Sequence, residues 1–414
     1  MDEDVNPVAS AFVNSAQEAF MFENGEALAK LFVFGEQTMA VLGSRLATVD
    51  DFEPYVVVVS DAIFGQFTAT YLGYARDLRA AASAEDGHKQ LCRMTELLVA
   101  LLNLSQGPWL LAVLRPVVLA LCASAQTVGA QTGDTTVFTQ AASLLLRILI
   151  DLLSDSSGAL ESSKRAGALF VAGLLLRMSL RTSAAPGAYA SKALEVRSLW
   201  GAGFSRRDRT SYSYWLGRYY LVCYYVDLAR EQLEYAFNTC PMWHFGNKRA
   251  ILRHLIVANM IRGRLPTLRL LAKYDLEPVY AELARCFRRG NVAGFERALV
   301  GSMELFRSQG NFLLLLERTK LLMFRNVLQR LCRIHGASER GKIVAYRDIL
   351  AAFQVATQNP AMDTLEMESI LTSLVSQKLV LGYLFHHQRL LNLSRKVAFP
   401  AIAHVGVAAP RKAY

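Results

Sequence analysis

The sequence predicts an all-α protein, a stack of paired helices closed at its C-terminal end by a small winged-helix module with one β-hairpin. Three observations predict it. Ala, Leu and Arg dominate a chain of 414 residues with 11 prolines, and strand-like alternation is scarce. Between residues 211 and 336 helical runs stop at recurring glycines. Beyond residue 336 two helical segments precede two short apolar segments that flank a polar turn.

Hydrophobic residues make up 53% of the chain and charged residues 19%, enough apolar surface to offset chain entropy, which excludes wholesale disorder. The net charge of +10 conceals an asymmetry: residues 1–200 carry 14 Lys+Arg against 20 Asp+Glu, and residues 201–414 carry 31 against 15. Fifteen acids cannot pair 31 bases, so the second half favours an anionic partner such as nucleic acid, an anionic membrane surface or an acidic protein. The six cysteines (Cys92, Cys122, Cys223, Cys240, Cys286 and Cys332) are widely spaced without a CxxC pair, which fits reduced thiols of the cytosol or nucleus. The N-terminus opens on Asp2, Glu3 and Asp4 and lacks the basic-then-apolar pattern of a secretory leader. Two uncharged windows, 97–114 and 116–133, are broken by Asn103 and by Ser, Gln and Thr, so they read as buried helices and no membrane insertion is expected.

Residues 1–200 read as N-terminal helical repeats. Residues 140–153 form the clearest case, with Leu144, Leu145, Ile148, Leu149 and Leu152 on one stripe. Segments 154–158 and 182–187 are predicted loops, and 201–210, where composition and charge sign both change, is the boundary. In the 211–336 solenoid the stops are Gly246, Gly263, Gly290, Gly310 and Gly336. Alternate stops lie 44 to 47 residues apart, the length of one helix pair in a stacked repeat. Asn291 is an N-cap for a helix with Phe295, Leu299, Met303 and Phe306 on one face, and Pro266 and Pro278 sit near helix starts. The winged helix spans 337–398. It runs from an extended start and helix over 343–356 to a capping box of Asp363 with Glu366, a core face of Met367, Ile370, Leu371, Leu374 and Val375, and a hairpin of 379–385 with 390–393. The tail 399–414 is an extended strap or disordered.

Chemistry-bearing motifs are few. Residues 336–342 (GASERGK) have the glycine and lysine spacing of a phosphate-cradling loop, but Ile343 stands where a Ser or Thr must hold Mg²⁺, and a long helix precedes it instead of a strand. Cys332 with His335 and Cys240 with His244 are lone pairs, short of a four-ligand metal site. No cofactor and no catalytic residue are expected. Tyr212, Tyr214, Trp215, Tyr219, Tyr220, Tyr224 and Tyr225 could stack bases, but their spacing spreads them around a helix and favours core packing. Basic residues say more: Lys248, Arg249 and Arg253 share a helix, followed by Arg262, Arg264, Arg269 and Lys273. The winged helix carries Arg347, Lys378, Arg389, Arg395 and Lys396, with Lys342 at its start, and these six are the candidate nucleic-acid contacts. The would-be recognition helix instead carries Glu366 and Glu368, so backbone contact without base reading is expected.

The second half resembles the PCI family, named for the proteasome lid, the COP9 signalosome and translation initiation factor 3. The residues that carry the likeness are 233–241 (LEYAFNTCP), 247–252 (NKRAIL), 263–274 (GRLPTLRLLAKY), 290–299 (GNVAGFERAL), 312–317 (FLLLLE) with Arg325-Asn326, Gly382-Tyr383 and Phe399-Pro400. The likeness is greatest to the branch found in transcription-and-export complex 2. It implies a TPR-like solenoid capped by a winged helix and no catalytic activity. It further implies a hetero-oligomer with a larger GANP-type PCI scaffold and a small acidic DSS-type subunit. Such a complex binds RNA or DNA through its winged helices and couples transcription to mRNA export at the nuclear pore, which places the chain in the nucleus. By position, Lys378, Arg389, Arg395 and Lys396 would touch nucleic acid, while Asn247 and Arg249 would be structural. The rival reading keeps the fold in a signalosome- or lid-like assembly with a protein-only role.

Overall fold

The computed structural model describes residues 6–79, 83–155, 158–182, 187–200, 203–334, 342–402 and 405. The predicted stop Gly336 and the phosphate-loop lookalike up to Gly341 therefore lie outside the described residues, as does the tail beyond Val405. The chain divides into two compact units, Met1–Trp215 and Leu216–Tyr414. Among the described residues the fold is helical apart from one three-stranded antiparallel sheet.

The first unit runs through α1 (Pro7–Met21), α2 (Gly25–Leu31), α3 (Glu36–Arg45), α4 (Glu53–Val56), α5 (Ala62–Arg79), α6 (Ala84–Leu104), α7 (Leu111–Thr132) and α8 (Thr136–Ser154). Two 3₁₀ turns, Leu160–Ser162 and Lys164–Gly167, lead to α9 (Ala168–Ser179) and α10 (Gly187–Glu195), and a third, Val196–Leu199, precedes α11 (Arg206–Val222). The five apolar residues read as a stripe from Leu144 to Leu152 are all buried in α8. Helices α7 and α8 are long and apolar enough to cross a membrane, and 44% and 50% of their most apolar windows are buried inside the fold. The start of α11 is fixed by a half-buried ion pair: Arg115 of α7 donates from two guanidinium nitrogens to the two Asp208 oxygens at 2.9 and 2.8 Å. Bidentate geometry of this kind compensates a carboxylate that is 5% exposed.

The second unit continues with α12 (Val226–Thr239), α13 (Phe245–Ile261), α14 (Leu268–Lys273), α15 (Glu277–Arg289), α16 (Val292–Gly301), α17 (Met303–Ser308) and α18 (Phe312–Ile334). Gly263, Gly290 and Gly310 have φ of 73°, 74° and 72°, the left-handed conformation a helix stop needs. At Gly290 a Cβ would also come within 2.5 Å of the Val327 side chain, so α15 meets α18 only because that atom is missing. Gly246 is different: it lies in the first turn of α13, and the preceding helix ends at Thr239 before Cys240-Pro241. Pro241 cannot continue a helix, which is the physical reason the stop moves. The helix predicted after Asn291 is capped as expected, with Asn291 Oδ1 accepting from Gly294 N at 2.9 Å, but it breaks at Ser302 into α16 and α17. The span from Gly263 to Gly310 thus holds the hairpin α15–α16 and two short helices, not one simple pair.

Helix α18 is the post on which the winged helix is built. The module is β1 (Lys342–Ala345), α19 (Tyr346–Thr357), α20 (Thr364–Ser376), β2 (Gly382–Phe385) and β3 (Leu390–Leu393), with strand order β1-β3-β2. Asp363 Oδ1 caps α20 by accepting from Glu366 N at 2.7 Å, and Met367, Leu371 and Leu374 enter the core. Phe324 of α18 packs on Phe353 of α19 with ring centres 4.6 Å apart. The decisive contact is Arg325, 6% exposed, whose Nε donates to the Leu379 carbonyl at 3.2 Å and whose Nη2 donates to the Pro400 carbonyl at 2.8 Å. The neighbouring Asn326 Nδ2 donates to the Phe287 carbonyl of α15 at 3.0 Å. One dipeptide therefore ties solenoid, hairpin and strap.

Arg325→Leu should lower the stability of the second unit by about 2–4 kcal/mol, because two carbonyls lose their donor, and Arg325→Lys should recover less than half of it, since an ammonium lacks the fork that reaches both. Thermal melts of the three proteins check this; equal melts would remove the role assigned to Arg325. A second expectation concerns pH. His254, 3% exposed, lies with Nδ1 3.1 Å from Asn311 Nδ2. Burial, then the charge of Arg218, holds its pKa well below 6.5. The unfolded chain binds the proton and the fold resists it, so this stability is present above pH 6.5 and declines as pH falls below it. Melts between pH 7 and pH 5 should show that decline, and His254→Gln should flatten it in part, because His88 is shifted in the same direction by burial. A slope unchanged in His254→Gln would contradict the assignment.

Candidate nucleic-acid interface

The ladder fixes where each candidate cation lies. Gly382 pairs with Leu393 and Phe385 with Leu390, so His386-His387-Gln388-Arg389 is the turn at the wing tip. Tyr346 N donates to the Arg389 carbonyl at 2.9 Å, which brings Arg347, the next residue, to that same end. At the opposite end Ser394 N donates to the Leu381 carbonyl and Leu381 N to the Ala398 carbonyl, both at 2.8 Å. Those bonds lay residues 395–397 across the segment that follows α20, three residues from Lys378. Lys342 pairs with Leu393, so its backbone sits at this end too, while its side chain is outside the described residues. The six candidates therefore form two groups: Lys378, Arg395 and Lys396 with the Lys342 backbone at the hairpin base, and Arg347 with Arg389 at the tip. Three steps of β3 separate them, roughly 10 Å.

Lys378, Arg389, Arg395 and Lys396 are all exposed and enter no ion pair among the described residues. Arg347 is exposed but lies 3.4 Å from the Asp348 carboxylate. Two of these cations occupy left-handed backbone, Lys378 at φ 58° and Arg389 at φ 51°. Glycine would hold either position at lower cost, yet the chain keeps a cation in both. Lys378 follows the last turn of α20, where the helix dipole favours positive charge.

The face of α20 is acidic and hydroxylic. Leu365, Glu366, Ser369, Thr372 and Ser376 are exposed, and the helix contains neither Lys nor Arg. Glu368 is held by the wing: His386 Nδ1 lies 2.8 and 2.9 Å from its two oxygens, and the Tyr346 hydroxyl donates to it at 3.2 Å. Burial, then the Glu368 charge, pushes the Tyr346 phenol up to about 12, so it stays a donor. Reading bases in a major groove needs donors on this helix, and it presents none with a positive charge. The sheet also presents Tyr383, which stands out in the sequence only through the Gly382-Tyr383 motif. It is 76% exposed and in register with Asn392 and Ile343 on the outer face, available to stack on a base or a side chain.

The basic residues of the solenoid divide in a way the sequence did not show. Lys248 is buried, donating to the Phe237 carbonyl at 2.8 Å with its ammonium 4.3 Å from the Phe237 ring centre. Arg249 donates to the Asp275 carbonyl at 2.8 Å, Arg262 pairs with Asp227 at 2.9 Å, and Arg330 donates to the Arg289 carbonyl at 2.8 Å. Lys248 is thus buried, and the three arginines are tied to the fold by these contacts while Arg330 stays exposed. Arg264, Arg269 and Lys273 remain exposed. In the aromatic run Tyr212, Tyr219 and Tyr220 are buried and the others half-buried, as core packing requires.

Among the described residues no group of three or more His, Cys, Asp or Glu is placed to hold a metal. Burial pushes the thiols of Cys92 and Cys286 up to about 11 and that of Cys122 to about 12, which keeps them protonated and poor nucleophiles.

No family model matches the chain. It is similar to the PCI domain-containing protein 2 homolog of Caenorhabditis elegans, 32% identical over 49% of this chain and 47% of that protein. It is similar to PCI domain-containing protein 2 of Xenopus laevis, 29% identical over 64% of this chain and 65% of that one. It is also similar to the protein CSN12 homolog of Schizosaccharomyces pombe, 27% identical over 63% of this chain and 61% of that protein. The chain spans about half the length of the nematode relative and under two thirds of the other two. An all-α stack that ends in a winged helix thus accompanies similarity, over about half to just under two thirds of this chain, to proteins named PCI domain-containing protein 2.

Proposed function

We propose that the chain is a non-catalytic scaffold subunit of a nuclear assembly like transcription-and-export complex 2. In this reading it pairs with a GANP-type PCI scaffold and a small acidic DSS-type subunit, and holds RNA or DNA by its backbone. The observation that carries it is the arrangement around the hairpin: four exposed cations, Lys378, Arg389, Arg395 and Lys396, unpaired among the described residues, beside a helix α20 without a basic residue. Phosphate contacts of this kind position nucleic acid but do not specify sequence. Two groups about 10 Å apart match the spacing of backbones across a groove roughly 12 Å wide. The alternative is a signalosome-like assembly in which the same cations dock acidic subunits, and the likeness to the CSN12 homolog favours it as the second reading.

Fluorescence anisotropy with labelled single-stranded RNA and random duplex DNA tests the first reading. Neutralising about four phosphates gives a slope of log K against log salt near −3 to −4. Lys378→Gly and Arg389→Gly should each weaken binding severalfold while leaving thermal stability equal or slightly higher, because each relieves a left-handed residue. Absence of salt-sensitive binding, with and without the PCI partner, would withdraw the nucleic-acid role. Purification of the endogenous complex separates the two assemblies: a GANP-type partner supports the first and signalosome subunits the second.

A further inference from the structure

The first unit presents an apolar surface for which the fold has no use. Helix α1 ends at Met21, and Phe22 caps it. The chain then turns through Glu23 at φ 51°, held by Glu23 N to the Phe20 carbonyl at 3.0 Å and Asn24 N to the Ala19 carbonyl at 2.9 Å. That turn leaves Met21 63% and Phe22 77% exposed. The segment after α4 is brought to the same place: Ser60 Oγ accepts from Gln17 Nε2 at 2.8 Å and lies 3.5 Å from Met21 Sδ. Val57 and Val58, just before it, are 82% and 72% exposed. Four large apolar side chains from two elements thus share one surface, which differs from the scattered exposed residues of an ordinary monomer.

A groove opens beside this patch. Phe22, Glu23, Glu26, Pro108 and Trp109 line a cavity of about 670 Å³. It is built, not accidental: the Gly25 backbone packs so closely that an added Cβ would meet the Trp109 carbonyl at 1.9 Å. The rim is acidic. Glu18, Glu23 and Glu26 are exposed and enter no ion pair among the described residues.

We infer that this surface docks a peptide segment of another protein with apolar side chains at its centre and basic residues at its flanks. The apolar residues would cover Met21, Phe22, Val57 and Val58, and the basic flanks would meet the glutamates. This goes beyond the winged-helix reading and uses a surface of opposite charge, so either can fail alone.

The test uses the full chain and a labelled synthetic peptide with Leu, Phe and Val at its centre and lysines at both ends, beside a counterpart with glutamates at the ends. Saturable anisotropy is expected for the lysine peptide and at least tenfold weaker binding for the glutamate peptide. Phe22→Ser and Val58→Ser, both at exposed positions, should each cost about tenfold in affinity with unchanged melting. Equal binding of both peptides, or full binding by Phe22→Ser, overturns the inference. So does a dimer in light scattering that Phe22→Ser dissolves, since a second copy would then be the occupant.

Discussion

The buried guanidinium of Arg325 is the constraint on which the second unit depends. A charge at 6% exposure needs acceptors, and Arg325 finds main-chain carbonyls at Leu379 and Pro400. Burial lowers its pKa from the ordinary arginine value, yet arginine remains charged under any biological condition. Those two carbonyls belong to the segment after α20 and to the strap after the hairpin, so satisfying one side chain places both. Leu381 N then donates to the Ala398 carbonyl and Ser394 N to the Leu381 carbonyl, which completes the closure. The exposed cations at the hairpin base follow from this geometry. Lys378 precedes the first anchored carbonyl, and Arg395 and Lys396 lie between the hairpin and the second.

Charge was the most informative reading of the sequence and also the most misleading. The excess of bases in the second half is real, but a count of acids omits the backbone as an acceptor. Lys248, Arg249 and Arg330 each donate to a carbonyl within the solenoid, and Arg325 donates to carbonyls of the winged helix and the strap. Arginine suits this use because its fork makes several bonds at once and is weakly hydrated. The cationic surface that the asymmetry implies is thus reduced to the winged helix and to exposed residues such as Arg264, Arg269 and Lys273.

Elements with a strong local rule were legible in the sequence. The capping box at Asp363 and Glu366, the apolar stripe of α8, the N-cap at Asn291 and the hairpin around His386–Arg389 each rest on a period or a hydrogen bond within a few residues. Elements decided by competition between neighbours were not. Gly246 was read as a stop, but the proline at 241 ends the earlier helix and frees the glycine to start the next. The break at Ser302 and the short α17 answer to packing on α18, which no local pattern records. For the site, exposure of the cations was readable by residue type, whereas the His386–Glu368 pair joining wing and helix α20 needed the fold.

Native-state hydrogen exchange on the full chain and on Arg325→Leu addresses the tie most directly. If Arg325 holds hairpin and strap together, the amides of Leu381 and Ser394 should lose protection together, with Tyr346 following, while those of α12 keep theirs. Protection at Leu381 and Ser394 that is unchanged by the substitution would show that the winged helix closes without it.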